Sequence, residues 1–318
     1  MGIRSLASAL TEKMGIKPFL VRQYGKLYLS YKSCQAALLS KKDAEFAQKN
    51  RLNIMSIEQT IEYILKNKCS VARYGDGEFN LLTDKAIGFQ NNDPELVEGL
   101  RTVIKNPHSS CFVCIPGLFS YEDEYTDSAI KFWKRILVHK RALWYSYCNR
   151  EYHYGNADMT RFYITIKDKT RADTIFPMLQ KIWEGQDVVI IEGLLSRLGV
   201  GTEMFSNTTH IERVLCPPEN AYSVYEEIYR YICKNVNKDK LILLAIGPTA
   251  TVLANQLAAD GYWAVDIGNI DKEYEWWQQK VEKRTRNPIK YSGEVAGATV
   301  VEDCLDEEYL SQIVAKII

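Results

Sequence analysis

The sequence predicts an α/β fold: a Rossmann-like, mainly parallel sheet with helices on both faces. Short runs rich in Val, Ile and Leu, such as DVVIIEG and KLILLAIGP, recur without the polar alternation of a half-exposed strand. Strands buried on both faces have this composition. Amphipathic segments separate the runs, and such alternation is typical of parallel sheets with crossover helices.

From residue 55 onward the elements follow in a regular order. The segment SIEQTIEYILKN begins with Ser56 and has Gln59 three residues later, a capping box before a helix. In DPELVEGLRTVIKN, Asp93 takes the N-cap and Pro94 the first helical position. The remaining predicted strands are CSVARYG, CFVCIPG, RALWYSY, RVLCPP and YWAVDIG, and the remaining helices TDSAIKFWKRILVH, RADTIFPMLQKIWEG, AYSVYEEIYRYICKN, TATVLANQLAADG, DKEYEWWQQKVEKR and DEEYLSQIVAKII.

Residues 1–54 are predicted to form a basic N-terminal helical arm, and residues 55–318 a single α/β domain. Up to Lys42 the chain has eight Lys or Arg residues and one acid, Glu12. A helical arm with a solvated basic face, packed on the main domain, is the favoured interpretation. The alternative is an arm that contacts the inner face of a membrane or a partner protein.

Composition gives no indication of a nucleic-acid-binding, disulfide-rich or membrane-spanning protein. Lys plus Arg and Asp plus Glu balance at 40 each, which gives no reason to expect a nucleic-acid partner. Eight cysteines without zinc-site spacing indicate reduced thiols and a cytoplasmic location. No signal peptide and no run of about 20 apolar residues is visible. A homodimer is compatible with the sequence, as is a monomer.

Two carboxylates follow the first buried strand, in SVARYGDGEFNLL. Asp76 and Glu78 are separated by one glycine, so both could reach a single hard cation on a tightly turning chain. Mg²⁺ or Mn²⁺ held in this way usually completes its coordination with substrate phosphates. Arg73 on the preceding strand could pair with a phosphate or orient a carboxylate. The alternative is a solvated acidic turn.

A glycine-rich loop follows DVVIIEG. Ser196, Arg197 and Gly201 lie in this loop, where backbone N–H groups could approach an anion and the guanidinium could bind a phosphate. In the alternative interpretation Arg197 pairs with Glu192 or Glu203.

A third strand end has the layout of a nucleotide-binding unit. Gly247 and Thr249 follow LILLAI and begin a helix, and Asp266 ends the next strand. This pattern indicates a helix terminus that faces a phosphate or a sugar. It also supports a competing function, an S-adenosylmethionine-dependent methyltransferase built on Gly247 and Asp266. A module that binds nucleotide sugars or glycans without catalysis is a further alternative.

The segment GNIDKEYEWW places Asp271 and Glu275 beside Trp276 and Trp277. A carboxylate near aromatic rings suits a sugar acceptor, with the acid as general base. From the residues alone, the favoured interpretation is an acidic helix N-terminus with the tryptophans in the core.

Together these motifs resemble the bacterial GT-D-type glycosyltransferases, a domain first catalogued as of unknown function and later tied to glycosylation of serine-rich adhesins. The resemblance covers roughly Ile57 to Val300 and rests on an ordered set of segments: RYGDGEFNLL, YGNADMTRFYI, EGLLSRLGVGTEMF, CPPENAYSVY, LILLAIGPTATVLANQLAADGYWAVDIGNIDKEYEW and KYSGEV.

The resemblance implies metal-assisted transfer of a hexose such as glucose from a UDP-sugar to a glycan or glycoprotein. Mn²⁺ or Mg²⁺ would bind the D-x-E motif, which falls on Asp76 and Glu78, with Arg73 upstream. The GNADMTR segment would place Asn156 and Arg161 near the nucleotide.

The same resemblance assigns the diphosphate contact and the general base. Ser196 and Arg197 would lie near the diphosphate, and the glutamate of K-Y-x-x-E matches Glu294. Asp271 and Glu275 compete for the role of base, and an inverting reaction would follow if a base is present. Two features depart from the family pattern: Asn269 stands where a histidine is expected, and the basic first fifty residues have no counterpart.

Overall fold

A computed structural model describes residues 18–293, 295 and 297–318 of the chain. The chain divides into two compact units. The smaller unit combines the chain up to Arg51 with Asp127–Tyr145, and the larger contains Leu52–Thr126 and Ser146–Ile318. The smaller unit therefore includes a segment from the middle of the sequence, which the predicted arm of residues 1–54 does not contain.

The described elements follow one another in the alternating order of an α/β fold. Strands β1–β9 are Asn53–Ile54, Ser70–Arg73, Cys111–Ile115, His153–Asn156, Asp187–Gly193, His210–Cys216, Leu241–Ala245, Trp263–Asp266 and Ile313–Lys316. Helices α1–α10 are Pro18–Lys49, Ile57–Asn67, Asp76–Leu81, Pro94–Lys105, Asp127–Tyr147, Ala172–Gln180, Tyr225–Asn235, Pro248–Ala259, Ile270–Gln278 and Glu307–Ser311. Short 3₁₀ helices occur at Gly117–Phe119, Glu122–Glu124, Ala157–Thr160, Lys169–Arg171 and Ala221–Val224.

The strands of the larger unit form one parallel sheet in the order β1-β4-β3-β2-β8-β7-β5-β6-β9. All five residues of β3 are buried, as are the first four of β7, because helices cover the sheet. The predicted α/β class with a mainly parallel sheet is confirmed. Since all strands run the same way, their carboxyl ends meet at one edge.

Two predicted helix starts are confirmed in detail. The Ser56 Oγ accepts from the Gln59 N–H at 3.1 Å, and the Gln59 Oε1 accepts from the Ser56 N–H at 3.0 Å. The Asp93 Oδ1 accepts from the N–H groups of Glu95 and Leu96 at 2.9 and 3.3 Å. These bonds satisfy amide groups that have no partner within their helices.

Two predicted elements are wrong, and two strands, β1 and β4, were missed. The segment RALWYSY is the end of α5, where the spacing of Arg141 and Tyr145 allows a hydrogen bond of 3.0 Å across one helical turn. The chain closes with the short helix α10 and then strand β9, whose residues alternate between half-buried and exposed at the edge of the sheet. Strand β4, HYGN, lacks the apolar run that marks the other strands.

The smaller unit has its own buried polar contact. Arg141 is 6% exposed and forms a bidentate pair with Asp43, with Nε–Oδ1 and NH2–Oδ2 distances of 2.8 and 2.9 Å. The Trp133 and Trp144 rings pack edge to face nearby on α5. Several large apolar side chains of this unit face solvent, among them Leu27, Tyr31 and Phe132.

Candidate active site

The strand order defines a crevice at the centre of the sheet. Strand β2 leads to β3 on one side, whereas the chain leaving β8 ends in β9 on the far opposite side. Ligands of open α/β sheets bind at such a point, beyond the carboxyl ends of the strands. The residues that end β2 and β8 are therefore the first candidates for a functional site.

Arg73 joins these two strand ends. Its Nε donates to the Asp266 carbonyl and its NH2 to the Asp266 Oδ1, both at 2.8 Å. Its NH1 donates to the Thr160 Oγ1 at 2.7 Å and to the Ala157 carbonyl at 3.3 Å, which ties in the segment after β4. The sequence suggested a phosphate contact or a carboxylate partner for Arg73, and the structure shows a carboxylate partner, Asp266.

Close packing around Arg73 explains a glycine at the end of β8. A Cβ built on Gly268 would lie 1.8 Å from the Arg73 NH2, and its φ of 45° is in the left-handed region. Burial raises the pKa of Asp266, which is 4% exposed, and the Arg73 charge opposes this shift. Asp266 was part of the competing methyltransferase interpretation, but here its carboxylate is engaged by Arg73.

Asp76 and Glu78 lie in the first turn of α3, directly after β2. The Glu78 Oε2 accepts from the N–H of Gly75, the N-cap residue, at 2.7 Å, so this carboxylate caps its own helix. Burial raises the pKa of Glu78 to about 7; the Asp266 carboxylate adds to the shift, and Arg73 opposes it. Glu78 is thus held in a desolvated position that a nearby cation would stabilise.

The first turn of α8 presents a second polar surface at this edge. Gly247 is the N-cap residue with a φ of 60°, and Pro248 follows at the first helical position. Thr249 is fully buried, and its Oγ1 has no hydrogen-bond partner among the described residues. The Thr251 Oγ1 donates to the Arg73 carbonyl at 2.9 Å, which fixes this helix start beside the end of β2.

The segment after β4 supplies the two residues predicted to lie near a nucleotide. Asn156 is 1% exposed, and its Oδ1 accepts from the Asp158 N–H at 2.9 Å, so it caps the 3₁₀ helix Ala157–Thr160. Arg161 follows this helix and is partly exposed. The segment contacts Arg73 through Thr160, so Arg161 lies near the crevice, whereas the Asn156 side chain serves the backbone.

The loop after β5 differs from its prediction. Arg197 is 7% exposed, and its NH1 donates to the carbonyls of Ile289 and Glu302, both at 2.5 Å. It therefore holds the backbone of the C-terminal segment in place of the expected diphosphate. Ser196 and Gly201 are in the same loop and are partly and largely exposed, respectively.

Glu192 is also paired differently from either expectation. The alternative interpretation joined it to Arg197, but its Oε1 accepts from the Arg213 NH1 at 2.7 Å. Its Oε2 accepts from the Leu198 N–H at 2.8 Å. A buried arginine on the neighbouring strand β6 took the role that the sequence assigned to a nearby loop arginine.

Asp271 and Glu275 belong to an internal ion cluster. Lys290, 1% exposed, lies 2.9 Å from the Asp271 Oδ1 and 2.8 Å from the Glu275 Oε1. Burial disfavours the lysine cation, but these two carboxylates outweigh it and raise the pKa of Lys290. The Gly199 N–H also donates to the Asp271 Oδ1, at 2.7 Å. Neither acid has the geometry of an accessible general base.

Of the two tryptophans beside these acids, Trp276 lies in the core, as the favoured interpretation predicted. It is 2% exposed and donates from Nε1 to the Thr285 carbonyl at 3.2 Å. Trp277 donates from Nε1 to Asp173 at 2.8 Å.

Glu294, the base implied by the resemblance, lies outside the described residues. Sequence reasoning missed Thr160 and Lys290; a lysine within K-Y-x-x-E was the only signal for the second.

Asp76 and Glu78 are the sequence-predicted metal ligands at this edge. Within the described ranges, no group of three or more His, Cys, Asp or Glu side chains could hold a metal ion. Two carboxylates fit Mg²⁺ or Mn²⁺, whose remaining ligands are commonly water and substrate phosphates. None of the described helices is both long enough and apolar enough to cross a membrane.

Comparison with known proteins shows which family the chain resembles. The model of the glycosyltransferase GT-D fold matches residues 71–295. The probable glycosyl transferase Gly of Streptococcus gordonii is 36% identical over 271 residues, which are 85% of this chain and 39% of that protein. The glycosyltransferase GlyD of Streptococcus pneumoniae serotype 4 is 36% identical over 268 residues, 84% of this chain and 33% of that protein. The chain thus spans well under half the length of these relatives.

Solved structures show the same architecture. A structure described as the highly conserved domain of unknown function 1792 with a distinct glycosyltransferase fold is 34% identical, with a TM-score of 0.82. The alignment covers 86% of this chain and 99% of that one. A new glycosyltransferase of this domain type from Streptococcus sanguinis is 36% identical, with a TM-score of 0.80 over 84% of this chain and all of that one. The chain belongs to the glycosyltransferases of the GT-D fold.

Proposed function

We propose that this protein is a metal-dependent glycosyltransferase that transfers a hexose, such as glucose, from a UDP-sugar to a glycan or glycoprotein acceptor. One observation carries the proposal. Two carboxylates, a partly buried arginine and the start of a twelve-residue helix lie at the carboxyl ends of the central strands. The resemblance to adhesin-glycosylating enzymes suggests a role in bacterial surface glycosylation.

The acidic side of the crevice suits a metal-bound diphosphate. Asp76 and Glu78 would hold Mn²⁺ or Mg²⁺, which would neutralise charge on the departing UDP. Glu78 has no ion pair among the described residues, and burial raises its pKa against the opposing effect of backbone hydrogen bonds and Arg73. Arg73, fixed by Asp266 and Thr160, keeps the end of β2 in position without neutralising Glu78 fully.

The start of α8 suits the anionic part of the donor. Free N–H groups at a helix N-terminus and the helix dipole both favour an anion. The buried Thr249 hydroxyl, which has no partner among the described residues, could donate to a phosphate oxygen. Arg161 could add a positive charge from the other side of the crevice.

The acceptor hydroxyl needs a base for a single-displacement reaction. We propose Glu294 for this role, because Asp271 and Glu275 are both buried and both pair with Lys290. The carboxylate would accept the proton of the acceptor hydroxyl while the hydroxyl oxygen attacks the anomeric carbon and UDP leaves. Such a single displacement inverts the anomeric configuration. All eight cysteines carry free thiols, which agrees with action in the cytoplasm.

A UDP-release assay tests the proposal. UDP liberated from UDP-glucose, UDP-galactose and UDP-N-acetylglucosamine is measured with Mn²⁺, with Mg²⁺ and with a chelator. We expect Asp76→Ala to lower the metal-stimulated rate on the order of a hundredfold, because metal charge stabilisation is worth several kcal/mol. Glu62→Ala, at an exposed acid on α2, is the matched control. Wild-type rates in Asp76→Ala, or UDP release indifferent to chelation, would contradict the metal assignment.

A further inference from the structure

We infer that Phe89, Tyr291 and Glu219 form a subsite for the acceptor saccharide at the carboxyl edge of the sheet. This inference rests on the proposed function. It goes further by assigning the acceptor to one side of the crevice. It arises from a turn between α3 and α4 that the motifs of the sequence did not include.

Phe89 is held at the tip of a tight turn. The Ile87 N–H donates to the Gln90 carbonyl at 3.0 Å, and the Gln90 N–H to the Ile87 carbonyl at 3.3 Å. Asn220, from the loop after β6, donates its N–H to the Phe89 carbonyl at 2.8 Å. The Asn220 Oδ1 accepts from the Asn91 N–H at 2.7 Å. Contacts on both sides therefore fix the backbone that carries the ring before any ligand binds, which lowers the entropy cost of binding.

The turn reaches across two strand ends. A Cβ built on Gly77, between the two proposed metal ligands, would lie 3.3 Å from the Ile87 Cδ1. A Cβ on Gly247, at the start of α8, would lie 2.9 Å from the Phe89 Cε2. A Cβ on Gly293, the residue before the proposed base, would lie 3.7 Å from the Phe89 Cδ1. The Phe89 ring thus lies beside both the start of α8 and Gly293.

The Phe89 side chain keeps an accessible surface in this position. Phe89 is 37% exposed, although it packs against backbone at two glycines. An exposed aromatic ring offers an apolar surface to the C–H face of a pyranose. The tryptophan pair, which one interpretation of the sequence offered as an acceptor platform, is engaged elsewhere, because Trp276 is buried and the Trp277 indole is bonded to Asp173.

Polar groups beside the ring fit a saccharide better than a nucleotide diphosphate. The Tyr291 hydroxyl donates to the Glu219 Oε1 at 2.8 Å, and Glu219 directly precedes the residue that holds Phe89. A carboxylate and a hydroxyl can accept and donate hydrogen bonds to sugar hydroxyls. The exposed Glu219 charge would repel phosphates, which places the acceptor here and the donor at α8.

Steady-state UDP release separates acceptor binding from donor binding. UDP-sugar hydrolysis by water is measured first, and p-nitrophenyl glycosides of glucose and N-acetylglucosamine are then titrated as acceptor probes. We expect Phe89→Ala to raise the KM of the stimulating glycoside about tenfold and to move the donor KM less than twofold. Phe89→Tyr should restore the wild-type acceptor KM. Phe132→Ala is the matched control, because Phe132 is 42% exposed in the other unit.

Each result bears on a different claim. An unchanged acceptor KM in Phe89→Ala overturns the subsite, and so does a tenfold rise confined to the donor KM. Donor hydrolysis that neither glycoside stimulates, up to its solubility limit, also overturns it while the proposed function stands. Absence of UDP release from every donor overturns the proposed function and the subsite together.

Discussion

Two charged clusters lie near the carboxyl ends of the strands, and they differ in how their charges are compensated. The crevice cluster consists of Arg73, Asp266, Asp76 and Glu78, and the Lys290 cluster of Asp271, Glu275 and Lys290. In the Lys290 cluster, one buried cation lies within 3 Å of both carboxylates. In the crevice cluster, Arg73 pairs with Asp266, and Glu78 keeps a pKa raised to about 7.

The difference separates a structural charge from a candidate ligand. A buried charge is tolerated when an opposite charge and hydrogen bonds compensate for lost hydration. The Lys290 cluster meets this condition largely with its own side chains and fixes α9 against the segment after it, although burial and the Asp271 charge still raise the pKa of Glu275. The crevice cluster meets it only in part, and bound cation and substrate would supply the rest. Variants that remove one partner from either cluster test this distinction.

The largest loss of stability is expected from Lys290→Met. The change leaves two buried carboxylates without their cation, and breaking a buried ion pair costs about 3–5 kcal/mol. Urea denaturation measures the free energy of unfolding, with Lys283→Met as the control at an exposed lysine. A loss below about 1 kcal/mol, typical of an exposed pair, would show that the Lys290 cluster is not structural.

A smaller loss is expected from Gly268→Ala in the crevice cluster. The new Cβ would collide with the Arg73 guanidinium, and the alanine would have to keep a positive φ. Together these effects should lower the free energy of unfolding by about 2–3 kcal/mol. Gly261→Ala separates the two causes, because Gly261 has a φ of 84° but its Cβ would meet only the Lys238 Nζ, at 4.0 Å. Equal destabilisation of the two variants would mean that close packing on Arg73 contributes nothing.

The smallest effect on stability is expected from Thr249→Val. The Thr249 Oγ1 is buried and unbonded among the described residues, so an isosteric methyl group should change the free energy of unfolding by less than about 1 kcal/mol. The Kd for UDP should rise nevertheless, because the hydroxyl is proposed to donate a hydrogen bond to a phosphate. Isothermal calorimetry with UDP and Mn²⁺ measures this change, and Thr170→Val, on the surface, is the control. Unchanged UDP affinity would remove Thr249 from the site.

Local sequence was sufficient where one segment alone set the structure. The buried strands, the Ser56 capping box and the Asp93 cap depend on residues within a few positions of each other. Strand β4 and strand β9 were missed because their pairing partners, not their own composition, make them strands. For the same reason RALWYSY, rich in aromatic residues, was taken for a strand and is helical.

The site shows the same limit over longer distances. The sequence by itself determined that glycines, acids and an arginine follow the strands of a parallel sheet, because strand polarity brings their carboxyl ends to one edge. Only the tertiary structure decided which charges pair. Arg197 turned to backbone carbonyls, Lys290 neutralised the acids of α9, and Arg73 joined Asp266 from 193 residues away. Compensation of a buried charge depends on distances in space, which a sequence does not contain.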